Sequence, residues 1–259
     1  MAVGASGSSA GSQVRTLAAR WNGSQWVIVK SPNPAHAAYS FLSSVSCIGA
    51  SDCVAVGEYF PGGRQQAQNR VLIERWNGSR WTVAASPQPP GPIASYLSAV
   101  ACTTAADCLA VGTARYPHRA GDSYGGPREH TLTEHWNGTR WAIVPSPNPP
   151  GPPANGLAGV SCTSPSDCTA VGAGGKHSPP GSADGASTLI EHWDGTAWSI
   201  VPSPSPSANS NLSKIACTSA ADCIAVGGFG NLGNPSSPRT LIEHWNGTAW
   251  SLLTPATSK

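Results

Sequence analysis

The chain has 259 residues, of which only 11% are charged, and its formal net charge is +2. No block of like charges is visible, so the sequence lacks the basic stripe by which nucleic-acid-binding proteins usually contact phosphates. No apolar run approaches the roughly 20 residues of a membrane-spanning helix. The 29 glycines and 24 prolines indicate short elements joined by many turns.

Two short motifs alternate along the chain and define an internal repeat of roughly 55 residues. The first places two tryptophans around a glycine turn, as in RWNGSRW at 75–81. All ten tryptophans belong to its five copies, which begin at Trp21, Trp76, Trp136, Trp193 and Trp245. The second motif, LSAVACTTAADCLAVG at 97–112, recurs in four copies that hold all eight cysteines.

Each full repeat predicts four short β-strands, such as LAGVSC, CTAVG, TLIEHW and WSIVPS within residues 157–203. A short polar turn joins the first two strands, and Asn-Gly or Asp-Gly joins the last two. Asn-Gly is a strong hairpin signal because both residues tolerate positive φ. Four antiparallel strands per repeat indicate a blade of a β-propeller, whereas the coils of a parallel β-helix are shorter and lack two tight hairpins.

The predicted fold is therefore an all-β, five-bladed propeller in a single domain, 1–259. Its blades are predicted at about 1–34, 41–87, 97–147, 157–204 and 211–257. Residues 1–4, MAVG, match the second strand of the later repeats, so the first blade lacks strand one. Three explanations remain open: the blade has three strands, the C-terminal tail pairs there, or the sequence is part of a longer protein.

The cysteines recur as Cys-x5-Cys across a predicted hairpin turn, which places the members of each pair on facing strands. The alternatives are reduced core thiols or a metal site, but metal sites favour CxxC spacing or histidine partners. The predicted disulfides join Cys47 to Cys53, Cys102 to Cys108, Cys162 to Cys168, and Cys217 to Cys223. Four disulfides indicate a secreted or cell-surface protein, although the N-terminus does not resemble a signal peptide, so the leader would be absent from this sequence.

Polar groups that recur in every repeat are predicted to build the blades. A glutamate two residues before the first tryptophan is predicted to form hydrogen bonds at the blade edge or between blades, at Glu74, Glu134, Glu191 and Glu243. An aspartate before the second cysteine is predicted to cap its turn. The tryptophan pairs are predicted to pack the blades, with sugar stacking as the alternative. No catalytic motif is present, so no catalytic residue, metal or cofactor is predicted.

Ligand binding is predicted on the face that carries the strand two-to-three loops and the connections between blades, because these loops vary while the scaffold repeats. Their unrepeated aromatic and polar residues suit sugar recognition, and a merely solvated loop surface is the alternative. The predicted ligand-binding residues are Tyr59, Tyr96, Arg115, Tyr116, His118, Asp122, Tyr124, Lys176, His177 and Phe229. Further aromatic or polar candidates in these loops are Tyr39, Phe60, Arg128, Asn155, Asp184 and Asn209.

The combined pattern SC…SDCxAVG…LIEHWNGTxW…VPSPNP resembles the secreted bacterial repeat proteins, common in actinobacteria, that are predicted to form β-propellers. The resemblance covers the whole chain and implies fold and export, but no activity. The sequence favours a non-catalytic module that binds glycans or an extracellular protein, with a possible oligomer contact at the incomplete blade. One alternative is a glycosidase or lyase that uses Asp122, Glu129 or Asp184 at the channel mouth, and another is a structural or targeting module of a larger protein.

Overall fold

A computed structural model describes residues 1–7, 14–62, 68–118, 127–149, 154–175, 185–207, 209–230 and 239–253. These residues form nineteen β-strands, arranged in five antiparallel sheets. Within the same residues, no helix has the length and hydropathy needed to cross a membrane.

The five sheets follow one another along the chain, and each is a meander of sequential strands. The first contains β1 (Ala2–Ser6), β2 (Arg15–Trp21) and β3 (Trp26–Val29). The second contains β4 (Ala37–Gly49), β5 (Asp52–Pro61), β6 (Arg70–Trp76) and β7 (Trp81–Val83). The third contains β8 (Ala94–Thr104), β9 (Asp107–Tyr116), β10 (Arg128–Trp136) and β11 (Trp141–Val144). The fourth contains β12 (Gly156–Ser164), β13 (Asp167–Gly175), β14 (Ala186–Trp193) and β15 (Trp198–Ile200). The fifth contains β16 (Asn211–Ser219), β17 (Asp222–Phe229), β18 (Arg239–Trp245) and β19 (Trp250–Leu252).

The predicted fold class is confirmed: the protein is all-β, with five sheets that have the strand order of propeller blades. The sheets are called blades 1 to 5 below. Blade 1 has three strands, because MAVG forms the strand that corresponds to strand two of the other blades. Blade 2 begins at Ala37, before the predicted position 41, because β4 is extended to 13 residues.

The contacts within the chain define two compact units. The first comprises residues 1–114 and 132–144, and the second comprises 115–131 and 145–259. Blades 1 and 2 lie in the first unit, and blades 4 and 5 lie in the second. In the first unit, the core includes Leu42, Leu72 and Trp76, and in the second it includes Leu212 and Leu241. Each unit thus uses the repeated apolar residues of its strands as core.

The turn between the two tryptophans is a hairpin turn, as predicted, but its asparagine does not adopt positive φ. Trp21 pairs with Trp26, so the loop has four residues, and the amide of Asn22 bonds to the carbonyl of Gln25. Only the glycine has positive φ, which is 104° at Gly23. The Oδ1 atom of Asn22 instead accepts the backbone N–H groups of the next turn residues, Ser24 and Gln25. The asparagine is therefore repeated because its side chain closes the turn.

The four predicted disulfides are confirmed, and those of blades 2, 4 and 5 join directly paired residues of strands one and two. The described residues contain no free cysteine. The two cysteines of each bridge are six positions apart, so each bridge closes a small loop. Loops of this size are expected to contribute about 2 kcal/mol through the entropy of the unfolded chain.

Replacing one bridge with alanines, Cys102→Ala with Cys108→Ala, should therefore lower the free energy of unfolding by about 2 kcal/mol. Urea denaturation of the double variant and the parent protein measures this difference. The same double change at Cys217 and Cys223 should have a similar effect, because both bridges close loops of equal length. An unchanged denaturation midpoint in both double variants would contradict the expectation.

The repeated glutamates join successive blades, as predicted. Each is fully buried and accepts a hydrogen bond from a serine that follows strand four of the preceding blade. The serine Oγ atom lies 2.6 to 2.9 Å from the nearer carboxylate oxygen in the pairs Ser31–Glu74, Ser86–Glu134, Ser146–Glu191 and Ser203–Glu243. In Glu74, Glu191 and Glu243, the other oxygen is buried without a hydrogen-bond partner. These carboxyl groups are therefore poorly placed to carry a negative charge.

The segments that carry these serines, SPNP, SPQP and SPSP, also bond to strand three of their own blade. In blade 1, the Oδ1 atom of Asn33 accepts the N–H group of Thr16 at 3.1 Å. Asn148 accepts the N–H group of Thr131 at 3.0 Å in the same way. In both blades, the side chain of the residue between the two prolines thus supplies the acceptor for a strand-three N–H group.

Candidate ligand-binding site

An aromatic platform lies at the end of blade 2 where strands two and three are connected. There β4 and β5 extend beyond the usual repeat, and Tyr39 pairs directly with Phe60. Their rings stack with centroids 5.4 Å apart and planes within 6°. The ring of Phe41 continues the stack, 6.3 Å from that of Tyr39. All three side chains are half-buried, so each also exposes some of its surface.

Two polar side chains border this platform, which is defined by Tyr39, Phe41 and Phe60. The hydroxyl of Tyr39 donates to Oδ1 of Asn69 at 2.8 Å, and Nδ2 of Asn69 donates to Oε2 of Glu58. Burial raises the pKa of the Tyr39 hydroxyl above its usual value; the hydrogen bond to Asn69 lowers it, and Glu58 adds to the rise. The hydroxyl therefore stays protonated near neutral pH and is held in one orientation by the amide of Asn69, which is itself bonded to Glu58.

The backbone also holds Asn69 in place. Its carbonyl accepts the N–H group of Ser95, which lies near the start of β8 in blade 3. Asn69 and Ala94 form an isolated parallel bridge. The amide beside the aromatic platform is thus fixed from both its main chain and its side chain, which reduces the entropy lost when a ligand binds.

A second cluster lies at the corresponding end of blade 3, within the second unit. The rings of Tyr116 and His130 meet edge to face at 5.3 Å, and the guanidinium of Arg128 lies 5.8 Å from the Tyr116 ring. Beside them, Nε of Arg115 lies 2.8 Å from Oε1 of Glu129 in an ion pair. Arg115 and Tyr116, both predicted ligand residues, thus come together with three residues of β10.

The other predicted ligand residues that the structure describes lie in different environments. His118 is exposed just after β9, and Tyr96 is half-buried in β8. Tyr59 and Phe229 pack against the hydrophobic cores of the first and second units, respectively. Asp122, Tyr124, Lys176 and His177 lie outside the described residues, as does Asp184.

Two asparagines of the blade connections have structural roles. Asn155 is fully buried, and its Oδ1 atom accepts the N–H group of Gly175 at 3.0 Å. Asn209 adopts positive φ, at 62°, and lies against Gly185. Both residues therefore serve the connections between strands.

Sequence reasoning did not single out Phe41, Glu58 or Asn69 as site residues. Phe41 lies two residues after Tyr39 in β4, and side chains two apart in a strand lie on the same face. The segment AYSFL could therefore have placed both rings on one face. Glu58 and Asn69 come together only because β5 and β6 bring the two ends of the 58–70 segment side by side.

The repeated aspartates of blades 3, 4 and 5 have two contacts each. In blade 3, Oδ2 of Asp107 accepts the hydroxyl of Thr103 within the turn, and Oδ1 lies 2.7 Å from Nε2 of His135. The aspartate thus does more than cap its turn, because it also connects the turn to strand three. Blades 4 and 5 repeat the contact in the pairs His192–Asp167 and His244–Asp222. No group of three or more possible metal ligands occurs among the residues that the structure describes.

Comparison with known proteins gives similarity in fold alone. No family model matches the chain, and no curated protein matches it. An ulvan lyase of polysaccharide lyase family PL25, solved with -[GlcA(1-4)Rha3S]-, matches with a TM-score of 0.48 and 10% identity over 93% of this chain. This chain spans 61% of the length of that lyase.

Two further solved structures are similar at lower scores. A glycoside hydrolase matches with a TM-score of 0.43 and 9% identity, over 82% of this chain and 72% of its own. The GH74 xyloglucanase from Xanthomonas campestris matches with a TM-score of 0.36 and 11% identity, over 83% of this chain and 38% of its own. The structural neighbours thus include a polysaccharide lyase and glycoside hydrolases, and the likeness is one of fold.

Proposed function

We propose that the protein is an extracellular carbohydrate-binding module that acts through the aromatic platform of blade 2. The observation that carries this proposal is the half-exposed stack of Tyr39, Phe41 and Phe60 beside the fixed amide of Asn69. Sugars present apolar ring faces and directional hydroxyl groups, and such an arrangement offers partners for both.

The proposed extracellular location rests on the four disulfides. Bridges of this kind form and persist in oxidising compartments, and they are rare where thiols are kept reduced. The resemblance of the repeat motifs to secreted bacterial proteins supports the same location.

A binding role is favoured over catalysis by the carboxylates. Those at the repeated positions are buried against serines, and Glu129 is ion-paired with Arg115. A glycosidase needs two carboxyl groups with different environments across a sugar-sized gap. The repeated glutamates instead share one environment, because each meets a serine of the preceding blade.

A glycan array followed by calorimetry tests the proposal. Phe60→Ala should weaken binding of the best glycan about tenfold, which corresponds to losing one aromatic contact. The unfolding midpoint should change little, because Phe60 is half-exposed near the end of its strand.

Trp26→Ala is the matched control. Trp26 is 55% exposed, but it belongs to the repeated hairpin of blade 1 rather than to the platform. Its replacement should leave glycan affinity unchanged. Absence of binding to any glycan at millimolar concentration would refute the proposal, as would equal losses in the two variants.

A further inference from the structure

One position of the repeat carries an arginine in blade 2 but a histidine in blade 4. The residue before the first tryptophan is Arg75 in blade 2 and His192 in blade 4. Each contacts the repeated aspartate of its own blade. Nη2 of Arg75 lies 3.5 Å from Oδ1 of Asp52, and Nε2 of His192 lies 2.8 Å from Oδ1 of Asp167.

The guanidinium of Arg75 also reaches blade 3. Its Cζ atom lies 4.4 Å from the centroid of the Trp136 ring, and Nη2 lies 3.5 Å from the carbonyl oxygen of Ala105. The same carbonyl accepts the indole N–H group of Trp136 at 3.1 Å. A carboxylate, a carbonyl oxygen and an aromatic face together match the charge, the N–H donors and the flat shape of a guanidinium group.

The corresponding groups between blades 4 and 5 surround a cavity of about 160 Å³. Asp167, Ala220 and Trp245 line it, and they occupy the same repeat positions as Asp52, Ala105 and Trp136. The indole N–H group of Trp245 bonds to the carbonyl of Ala220 at 3.1 Å, as in the filled site. The shorter side chain of His192 ends at Asp167, so the space that Arg75 fills in blade 2 is left open here.

The remaining walls of the cavity are mostly apolar. Val201 and Trp250 line it together with Cys223, whose sulfur belongs to a disulfide. The cavity lies within the second unit, between two consecutive blades. Apolar walls around one carboxylate suit an alkyl chain that ends in a single delocalised positive charge, because such a cation is weakly hydrated.

We propose that this cavity binds a guanidinium group, such as that of an arginine side chain. The ring of Trp245 contacts the flat face of the cation, Asp167 balances its charge, and the carbonyl of Ala220 accepts one N–H group. Asp167 already accepts contacts from Thr163 and His192, and a carboxylate has about four acceptor positions, which leaves room for a further donor. This site is independent of the aromatic platform in blade 2.

Titration with methylguanidinium chloride, followed by NMR of the indole N–H groups, tests the proposal. The Trp245 signal, assigned with a Trp245→Phe variant, should shift saturably, whereas urea, a neutral molecule of similar shape, should produce no saturable shift. His192→Arg should weaken binding at least about tenfold, because the new side chain places its own guanidinium in the cavity. No saturable shift at Trp245, or undiminished affinity in His192→Arg, would overturn the proposal.

Arg75→His is the matched control. Histidine occupies this repeat position in three other blades, at His135, His192 and His244, so the variant is expected to fold. It should open a second cavity, and methylguanidinium should then shift the Trp136 indole signal as well. If Trp136 does not respond, the repeat does not define the site and the proposal fails.

A further titration compares free arginine with the tripeptide Gly-Arg-Gly. Tighter binding of the tripeptide would identify arginine in a polypeptide as the source of the guanidinium group. Equal affinities would identify a small free cation. Both results support the guanidinium site, and failure of both ligands to compete with methylguanidinium would contradict it.

Discussion

Gly112→Ala should lower the free energy of unfolding by about 3 kcal/mol or more. A Cβ atom on Gly112 would lie less than 3.0 Å from the carbonyl oxygen of Tyr96 on strand one. The atoms that the new Cβ would meet belong to the backbone of strand one, so no side-chain rotation can relieve the collision. Strand one would have to move. Urea denaturation of the variant and the parent protein gives the difference directly.

The first blade supplies the control for this change. Gly4 occupies the same repeat position, but a Cβ atom there would meet nothing within 4 Å. Gly4→Ala should therefore change the free energy of unfolding by no more than about 0.5 kcal/mol. Equal losses in the two variants would show that the collision with strand one is not the cause of the loss at Gly112.

The exposure of Ala2, like the open space beside Gly4, indicates that this edge of blade 1 is uncovered. Ala2 is exposed, whereas its counterparts in strand two of the other blades, Ala55, Ala110, Ala170 and Ala225, are fully buried. The predicted oligomer contact at this edge stays a prediction. Sedimentation of the parent protein over a range of concentrations would test it, and a strict monomer at all concentrations would contradict it.

The protein should become less stable as the pH rises from 5 to 8. Burial raises the pKa of Glu134 to about 8, and those of Glu74, Glu191 and Glu243 to about 7, while the serine hydrogen bonds act in the opposite direction. The folded state therefore holds protons that the unfolded state has released. This contribution to stability is fully present below the unfolded pKa of 4.5 and is lost as the pH passes through 7 to 8.

For each glutamate, the loss between pH 5 and pH 8 is expected to be roughly 2 kcal/mol. Glu191→Gln keeps the shape of the side chain but cannot ionise, so it should remove one such contribution. Glu243→Gln should do the same, because its serine contact is equivalent. Urea denaturation at several pH values measures the slope. A slope that both variants leave unchanged would show that these carboxyl groups do not control the pH dependence.

The repeat made the fold and the disulfides predictable. The cysteines face each other in every full blade because Cys-x5-Cys spans one hairpin, and the tryptophan pairs mark the other hairpin in the same way. Because each motif recurs in four or five copies, a strand or turn predicted in one copy can be checked against the others. Repetition also predicts a structural role for Glu191 and its equivalents, since identical groups in separate blades suit packing better than chemistry.

The aromatic platform was harder to predict because nothing repeats there. Whether Tyr59 or Phe60 faces the core depends on the register of β4 and β5, which irregularities near Ala37, Leu42 and Cys47 shift. A register shift of one residue exchanges the two faces of a strand. Sequence reasoning thus chose Tyr59, which packs against the core, as a leading ligand residue and did not single out Phe41.

The asparagine of the tryptophan turn shows a second limit. Asn-Gly suggests two residues at positive φ, but Asn77 bonds through its side chain to the N–H groups of Ser79 and Arg80. Loop length decides between these geometries, and the pairing of Trp76 with Trp81 fixes it at four residues. The turn is therefore a scaffold element, and its copies carry equivalent hydrogen bonds.

The central claim, that unrepeated residues bind the ligand while repeated ones build the blades, can be tested with NMR of the aromatic side chains. Signals would be followed during titration with the glycan that binds best on the array. The account predicts shifts at Tyr39, Phe41 and Phe60, with the ten tryptophans unaffected. Shifts confined to the tryptophan pairs, with these three rings silent, would contradict it.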